Sequence, residues 1–330
     1  MKPIIFSGMQ ATGVAHLGNY IGAIKNWVDL QKDHRCLYCV VDLHSITVRH
    51  DPAIFKEKAR SLLMQFIALG LDPEEHIVYF QSHVPAHSEL GWILNCFTYM
   101  GELGRMTQYK DKSQKNEDNI NAGLFTYPIL QAADILLFQT NMVPVGEDQR
   151  QHLELCRDIA VRFNHIYGDI FTVPEPYIAP VGAKVMSLQE PERKMSKSDS
   201  DNENGLIYII DDPAVIIKKF KRAVTDSLNQ IKYDPENQPG VSNLLTIYAC
   251  ATNRTPKECE AEFHDAPGYG SLKTRVGEAV VAMLEPMQKR YKELEADKVY
   301  IDKIINNNAK RADAMAQETL KAVKHAIGFN

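Results

Sequence analysis

Pro3-Ile4-Ile5-Phe6-Ser7-Gly8-Met9-Gln10-Ala11-Thr12-Gly13-Val14-Ala15-His16-Leu17-Gly18-Asn19 decides the class of fold. Its first five residues form an apolar run of the length of a buried strand, and the run breaks at Gly8. A glycine-bearing loop follows from Met9 to Asn19. Beyond it Ile21, Ile24, Trp27 and Val28 recur at helical spacing until Gln31 and Lys32 close the helix. A strand, a glycine loop and a helix in this order aim backbone N–H groups and a helix N-terminus at whatever sits above the strand end, a place suited to phosphate or ribose. The loop contains neither GxGxxG nor GxxxxGKS/T, so a dinucleotide fold and a Walker-type ATPase are both unsupported.

The alternation continues outward from there. Residues 36–43 read as a second strand ending at His44, and a histidine at that edge of a parallel strand sits where open α/β sheets bind ligands. Asp51 caps a helix that has Pro52 in its first position and Ala59, Leu62, Leu63, Phe66 and Ile67 as its buried stripe. Residues 76–81 read as a third strand and 85–100 as another helix. Such alternation implies a Rossmann-like, doubly wound parallel sheet. Residues 125–137 form an apolar helix on which Gln131 and Asp134, three apart, share a face. A carboxylate buried there is costly unless something answers it. Residues 141–145 read as a strand delivering Gly146-Glu147-Asp148-Gln149 to the start of a helix over 151–163.

From Leu206 the pattern changes. One short strand, 206–210, precedes helical patterns only, at 213–224, 241–251, 256–263, 272–294 and a terminal helix to 327. The expectation is a sheet domain over 1–199 followed by an all-helical domain over 200–330.

With 330 residues, 45% of them hydrophobic, the chain can bury a sizeable core, and a net charge of −5 excludes a global basic footprint. A nucleic-acid partner would therefore be held by a local patch, for which Lys218, Lys219, Lys221 and Arg222 are the one basic cluster of the helical half. The charged segment 107–119 reads as a surface insertion. Of the six cysteines only Cys36 and Cys39 are close, and three apart on a strand they point to opposite faces, which argues for buried thiols rather than a metal pair. No stretch reads as a targeting segment and no window approaches the roughly 18 apolar residues of a membrane span, so a cytoplasmic protein with no membrane partner is expected.

Lys194-Met195-Ser196-Lys197-Ser198 lies between a proline and acidic residues and has neither strand nor helix periodicity. Two ammonium groups on flexible stems with hydroxyls between them suit a polyphosphate whose charge moves during reaction. The pentapeptide resembles the second signature of the class I aminoacyl-tRNA synthetases. His16-Leu17-Gly18-Asn19 resembles their first, with Asn19 in place of the second histidine. Together with Tyr127-Pro128-Ile129-Leu130-Gln131-Ala132-Ala133-Asp134 and Val143-Pro144-Val145-Gly146-Glu147-Asp148-Gln149, these motifs stand in the order and spacing of the bacterial-type tryptophanyl-tRNA synthetases.

The resemblance implies ATP-dependent ligation of L-tryptophan to tRNA(Trp) through a tryptophanyl-adenylate, with pyrophosphate and AMP released. It implies Lys194, Lys197, Ser198 and His16 as catalytic residues. For ATP it implies Gln10, Ala11, Thr12, Gly18, Asn19, Gly146, Glu147, Asp148 and Val185, along with Met195 and Ser196 of the second signature. An indole N–H only donates, so a tryptophan pocket needs an acceptor, and Asp134 fills that role beside Gln131. Phe6, Gly8, His44, Tyr127, Val143, Val145 and Gln149 are implied as the remaining wall. Mg²⁺ is implied by the nucleotide, held mainly by phosphates, with no metal site of the protein's own. A homodimer and an anticodon-binding role for the helical half follow from the resemblance alone.

Two alternatives stay open. A tyrosyl-tRNA synthetase could use Gln131 and Asp134 as donor and acceptor for a phenol, and a synthetase-like paralogue could bind amino acid or RNA without ligating them. A small nucleotidyltransferase fits neither the long helical half nor the helix that carries Asp134.

Overall fold

The protein is described from a computed structural model, which covers residues 2–11, 13–107, 120–146, 149–177, 184–196 and 203–329. Five strands, β1 (Ile4–Met9), β2 (Arg35–Val40), β3 (Ile77–Phe80), β4 (Met142–Pro144) and β5 (Glu175–Tyr177), pair in parallel in the order β3-β2-β1-β4-β5. β1 and β2 run in register from Ile4 opposite Arg35 to Met9 opposite Val40. Because side chains alternate across a strand, each strand feeds two cores. Ile5, Cys36, Tyr38, Val40, Val78 and Phe80 face one layer of helices, while Phe6, Leu37, Cys39, Ile77 and Tyr79 face the other. Cys36 and Cys39 thus lie on opposite faces, as their spacing predicts.

The chain winds from β1 outward to β3 and then returns to the far side of β1 for β4 and β5. That reversal makes the β1/β4 crevice the switch point of the sheet, and open α/β sheets bind ligands beyond the carboxyl ends of the strands there. The segment after β1 does become helical: His16 caps Leu17–Asn19, a wider π-helical turn takes Tyr20–Ile24, and Lys25–Leu30 is α-helical. A π-turn inside a helix is uncommon and often lies beside a functional loop, as it does here. The next helix, Pro52–Ala68, begins as its sequence predicts, with the Asp51 carboxylate accepting from the N–H groups of Ala53 and Ile54, each at 3.0 Å.

Three expected elements differ. β2 stops at Val40, and Asp42–Ser45 is a helical turn that carries His44. The helix expected over 85–100 spans Ala86–Asn95, and Met100–Leu103 is a separate turn. Residues 206–210 add no strand to the sheet. They lie antiparallel to residues 15–17, with Leu17 N–H donating to the Ile207 carbonyl at 2.8 Å and Ile209 N–H to that of Ala15 at 3.0 Å. Only one bridge, His16 to Tyr208, forms, because the chain turns into a helix at Leu17 and offers no further edge.

Helices Pro213–Lys221, Pro239–Thr252, Pro256–Glu262, Tyr269–Ala296 and Lys298–Ala326 follow. The last of them returns to the sheet. Its Ala312, Ala316, Leu320 and Val323 join the core with Leu37 and Tyr79. Its buried Asn308 accepts the Val78 N–H at 3.0 Å and donates to the Pro73 carbonyl at 3.1 Å. The helix thereby covers β3, an edge strand whose open hydrogen-bonding groups would otherwise invite pairing. Among the described residues no helix is long and apolar enough to cross a membrane.

Candidate active site

The switch-point crevice has two sides, and the first is organised by a buried acid. Helix Ala122–Leu136 starts at Asn121, whose side chain accepts from Leu124 N–H, and it carries Asp134 into the core at 1% exposure. Asp134 Oδ1 accepts from Gln81 Nε2 and from His87 Nδ1, both at 2.6 Å, and Oδ2 accepts from His44 Nε2 at 2.8 Å. Burial alone would push this carboxyl up, but the two imidazoles and their N–H bonds outweigh it and hold the group well below the usual carboxylate range. The network assigns the tautomers: with its proton on Nδ1, His87 has Nε2 free to accept from the Tyr79 hydroxyl at 3.0 Å. Three donors occupy three of the about four lone-pair positions of an ionised carboxylate. Among the described residues no donor takes the remaining acceptor position, on Oδ2.

Gln131 does not share the partners of Asp134. Its Nε2 reaches Gln149 Oε1 at 3.5 Å, and Gln149 Oε1 accepts from His152 Nδ1 at 3.2 Å. His152 Nε2 meets the Tyr127 hydroxyl at 3.0 Å, and the Tyr127 ring stands edge-on to His44 with centroids 6.3 Å apart. Beside these rings opens a cleft of about 250 Å³ lined by Leu43, His44, Thr47, Asn121, Tyr127 and Leu130. Phe6 stacks on Phe138 in the same core, and a Cβ on Gly8 would meet Val41 Cγ1 at 2.9 Å, so a larger residue near the end of β1 would have to displace Val41. Val143 is buried and Val145 half-buried at the end of β4, and Gly146 is exposed beyond them. Glu147 and Asp148 lie outside the described residues.

The second side gathers the polar loops. Ala11 N–H donates to Ser45 Oγ at 3.0 Å and Ala15 N–H to Gln65 Oε1 at 2.8 Å, which pins the loop after β1 to two neighbouring helices. Gln10 is half-buried at the start of that loop. Thr12 lies outside the described residues. His16 and Asn19 lock each other: His16 N–H donates to Asn19 Oδ1 at 3.1 Å, and Asn19 N–H donates to His16 Nδ1 at 3.3 Å. A Cβ on Gly18 would stand 3.0 Å from His16 Nδ1 and 3.5 Å from Met195 Cβ. The two sequence signatures therefore touch at Gly18.

Val185 and Met195 are both buried, with Met195 N–H donating to the Val185 carbonyl at 3.1 Å, while Lys194 is exposed and Ser196 half-buried. Lys197 and Ser198 lie outside the described residues, as does most of the charged 107–119 segment.

The model of the class I tRNA synthetases (W and Y) matches residues 1–285. The chain belongs to that family. A tryptophanyl-tRNA synthetase from Mycoplasma pneumoniae is 35% identical and superposes with a TM-score of 0.90 over 100% of this chain and 99% of its own. The tryptophanyl-tRNA synthetase of Campylobacter jejuni, in complex with ADP and tryptophan, is 35% identical with a TM-score of 0.87 over 99% of this chain and 100% of its own. The tyrosyl-tRNA synthetase of Aeropyrum pernix, 18% identical with a TM-score of 0.68, shares the fold.

Within this class I synthetase, sequence reasoning named His44 but missed the other two partners of the buried acid. Gln81 and His87 are fully buried polar residues at the exit of β3 and in the helix after it, and the one signal was the position of Gln81 at the end of an apolar run. The basic cluster also needs correcting. Lys219 turns inward, pairs with Asp211 at 2.7 Å and lies 5.5 Å from the centre of the Tyr208 ring, so it braces the segment beside His16 instead of facing solvent with Lys218 and Lys221.

Proposed function

We propose that this class I synthetase activates L-tryptophan with ATP and ligates it to tRNA(Trp). The observation that carries the reading is the remaining lone-pair position of Asp134: a fixed, ionised acceptor bonded to His44, which lines the neighbouring cleft with Tyr127, suits a ligand N–H. The tryptophan bound by the Campylobacter jejuni relative supports it, and the ADP beside it supports ATP as the nucleotide.

In the first step the tryptophan carboxylate attacks the α-phosphate of ATP in line, forming the adenylate and releasing pyrophosphate. In the second, the 2′-hydroxyl of the terminal adenosine of tRNA takes the aminoacyl group and AMP leaves. Neither step needs a covalent enzyme intermediate, so the protein's contribution is positioning and charge stabilisation. Lys194 and Lys197 follow the charge that develops on the α-phosphate and pyrophosphate, with Ser196 and Ser198 beside them. His16, Gly18 and Asn19 contact the nucleotide, together with Gln10, Ala11 and Thr12, the backbone of Val185, and Gly146 to Asp148. Phe6, Gly8, His44, Tyr127, Gln131, Val143, Val145 and Gln149 wall the tryptophan.

Mg²⁺ arrives with ATP, held mainly by its phosphates and water. Among the described residues no cluster of three or more His, Cys, Asp or Glu side chains could hold a metal ion. Residues 1–199 carry the chemistry, and residues 200–330 supply tRNA contacts and packing. A homodimer would cover Trp92, Tyr99 and Met100, which are 73%, 64% and 72% exposed near the first side of the site. The work is done in the cytoplasm, where charged tRNA is used.

Amino-acid-dependent ATP–pyrophosphate exchange and tRNA charging across all twenty amino acids test the reading. Tryptophan alone should support both at a high rate. Faster exchange with tyrosine would transfer the assignment to the tyrosine enzymes, and tryptophan binding without charging would make the chain a binding paralogue.

A further inference from the structure

The residues leading into the second signature form a small hairpin. Ser187 N–H donates to the Arg193 carbonyl at 2.8 Å, Met195 N–H donates to that of Val185 at 3.1 Å, and Met186 bridges Lys194 between these two bonds. In an antiparallel pair of this type the facing residues direct their own N–H and C=O outward, away from each other. Met186 therefore presents one donor and one acceptor on the outer edge. An isolated two-stranded hairpin is marginal in water, and an open edge does not help it.

One side chain takes both groups. Asn243 Oδ1 accepts the Met186 N–H at 2.9 Å, and Asn243 Nδ2 donates to the Met186 carbonyl at 2.9 Å. An asparagine amide carries a donor and an acceptor at the spacing of a peptide unit, so this buried residue stands where a third strand would stand. Lys194 lies two strand spacings away, about 10 Å.

The helix that carries Asn243, Pro239–Thr252, is itself tied at both ends. At its start Gly240 lies against Val224, where an added Cβ would come within 2.4 Å of the carbonyl oxygen, and Val224 N–H donates to Leu188 of the hairpin at 2.8 Å. At its end Lys25, from the helix that continues the first signature, donates to the Cys250 carbonyl at 3.2 Å and to Asn253 Oδ1 at 2.9 Å. One 14-residue helix thus joins the stem of the second signature to the helix of the first.

We propose that Asn243 is a positioning residue for adenylate formation: by holding the backbone of Met186 it fixes where Lys194 stands relative to the His16 loop. The inference rests on the proposed role of Lys194 in the phosphate chemistry. A misplacement of about 1 Å in a group that stabilises a transition state costs about a hundredfold, whereas substrate binding elsewhere is untouched.

The test uses the full chain, with tryptophan-dependent ATP–pyrophosphate exchange and thermal melting for Asn243→Ala, Asn243→Asp and Lys194→Ala. Asn243→Ala is expected to lower kcat by about ten- to a hundredfold with the KM for tryptophan within about twofold. Asn243→Asp keeps the acceptor for Met186 N–H but sets a carboxylate oxygen against the Met186 carbonyl, and should fall at least as far. If both Asn243 variants keep kcat within about twofold while Lys194→Ala loses tenfold or more, the positioning role is overturned and the function stands. If Lys194→Ala also keeps its rate, the lysine's role fails and the inference with it. A rise in the KM for tryptophan that matches the fall in kcat means general loosening and also overturns it. Should Asn243→Ala fail to fold, Lys25→Met decides from the other end of the helix: a kcat lowered about threefold or more at constant tryptophan KM supports the inference, and a parental kcat contradicts it.

Discussion

Around Asp134, side chains from the exit of β3, the helix after it and the turn after β2 converge on one buried carboxylate, whereas around Lys194 the protein grips only backbone and leaves the ammonium in solvent. The difference fits the roles proposed for the two sides. A group that discriminates between amino acids must not move or change charge, so it is surrounded by donors in the interior, where each hydrogen bond is strong and each missing one is expensive. A group that follows charge from α-phosphate to pyrophosphate needs reach, so its position is set by the hairpin beneath it and its side chain stays free. Specificity and rate are therefore expected to fail differently when the two regions are altered.

The largest effect should come from Asp134→Ala. It orphans Gln81, His44 and His87 together, and removal of one partner from a buried charged network costs about 3 to 5 kcal/mol. Denaturant unfolding measures this, and a loss below about 1 kcal/mol would mean that the network is slack. Lys194→Ala is expected to do the reverse: exchange falls about 10²- to 10³-fold, while the melting temperature stays put because the side chain is exposed. A stability loss without a rate loss at Lys194 would erase the contrast between the regions.

Acid sharpens the same contrast. Asp134 has a folded-state pKa below its unfolded value, so its ionisation stabilises the fold fully above about pH 4, and the contribution is lost as pH falls below that toward the folded value. The difference in unfolding free energy between the parent and Asp134→Asn should therefore shrink on acidification below about pH 4, and a constant gap would show that the carboxylate's charge is not what the network holds. Asp51→Ala, which removes two N–H bonds at an exposed helix start that shares no bond with either region, is the smallest of these effects at about 1 kcal/mol. It should leave exchange unchanged.

Much of this was legible in the sequence because the responsible forces are local. The period-2 split of Ile5 from Phe6 and of Cys36 from Leu37 fixed the two-faced strands, and Asp51-Pro52 marked a helix start with its own cap. The demand that Asp134 be answered was also readable, since a buried carboxylate cannot stand alone. Which residues answer it was not readable. Gln81 and His87 lie 53 and 47 positions away, and only the packing of helix on sheet brings them to the carboxylate. Asn243 meets Met186 across 57 positions for the same reason. Residues 206–210 carry strand-like composition, but whether such a run joins a sheet depends on a free edge, and the neighbour it found becomes helical after one bridge. Lys219 reads as one more surface lysine until Asp211 and Tyr208 are folded around it.

The most direct test of the pocket replaces one atom of the ligand. Exchange kcat/KM should be compared for tryptophan and for its benzothiophene analogue, in which sulfur stands where the indole N–H was. If the open lone pair of Asp134 accepts that N–H, the analogue leaves one acceptor position of a buried carboxylate unfilled and should lose about 10⁴-fold. Near parity between the two would contradict the role given to Asp134.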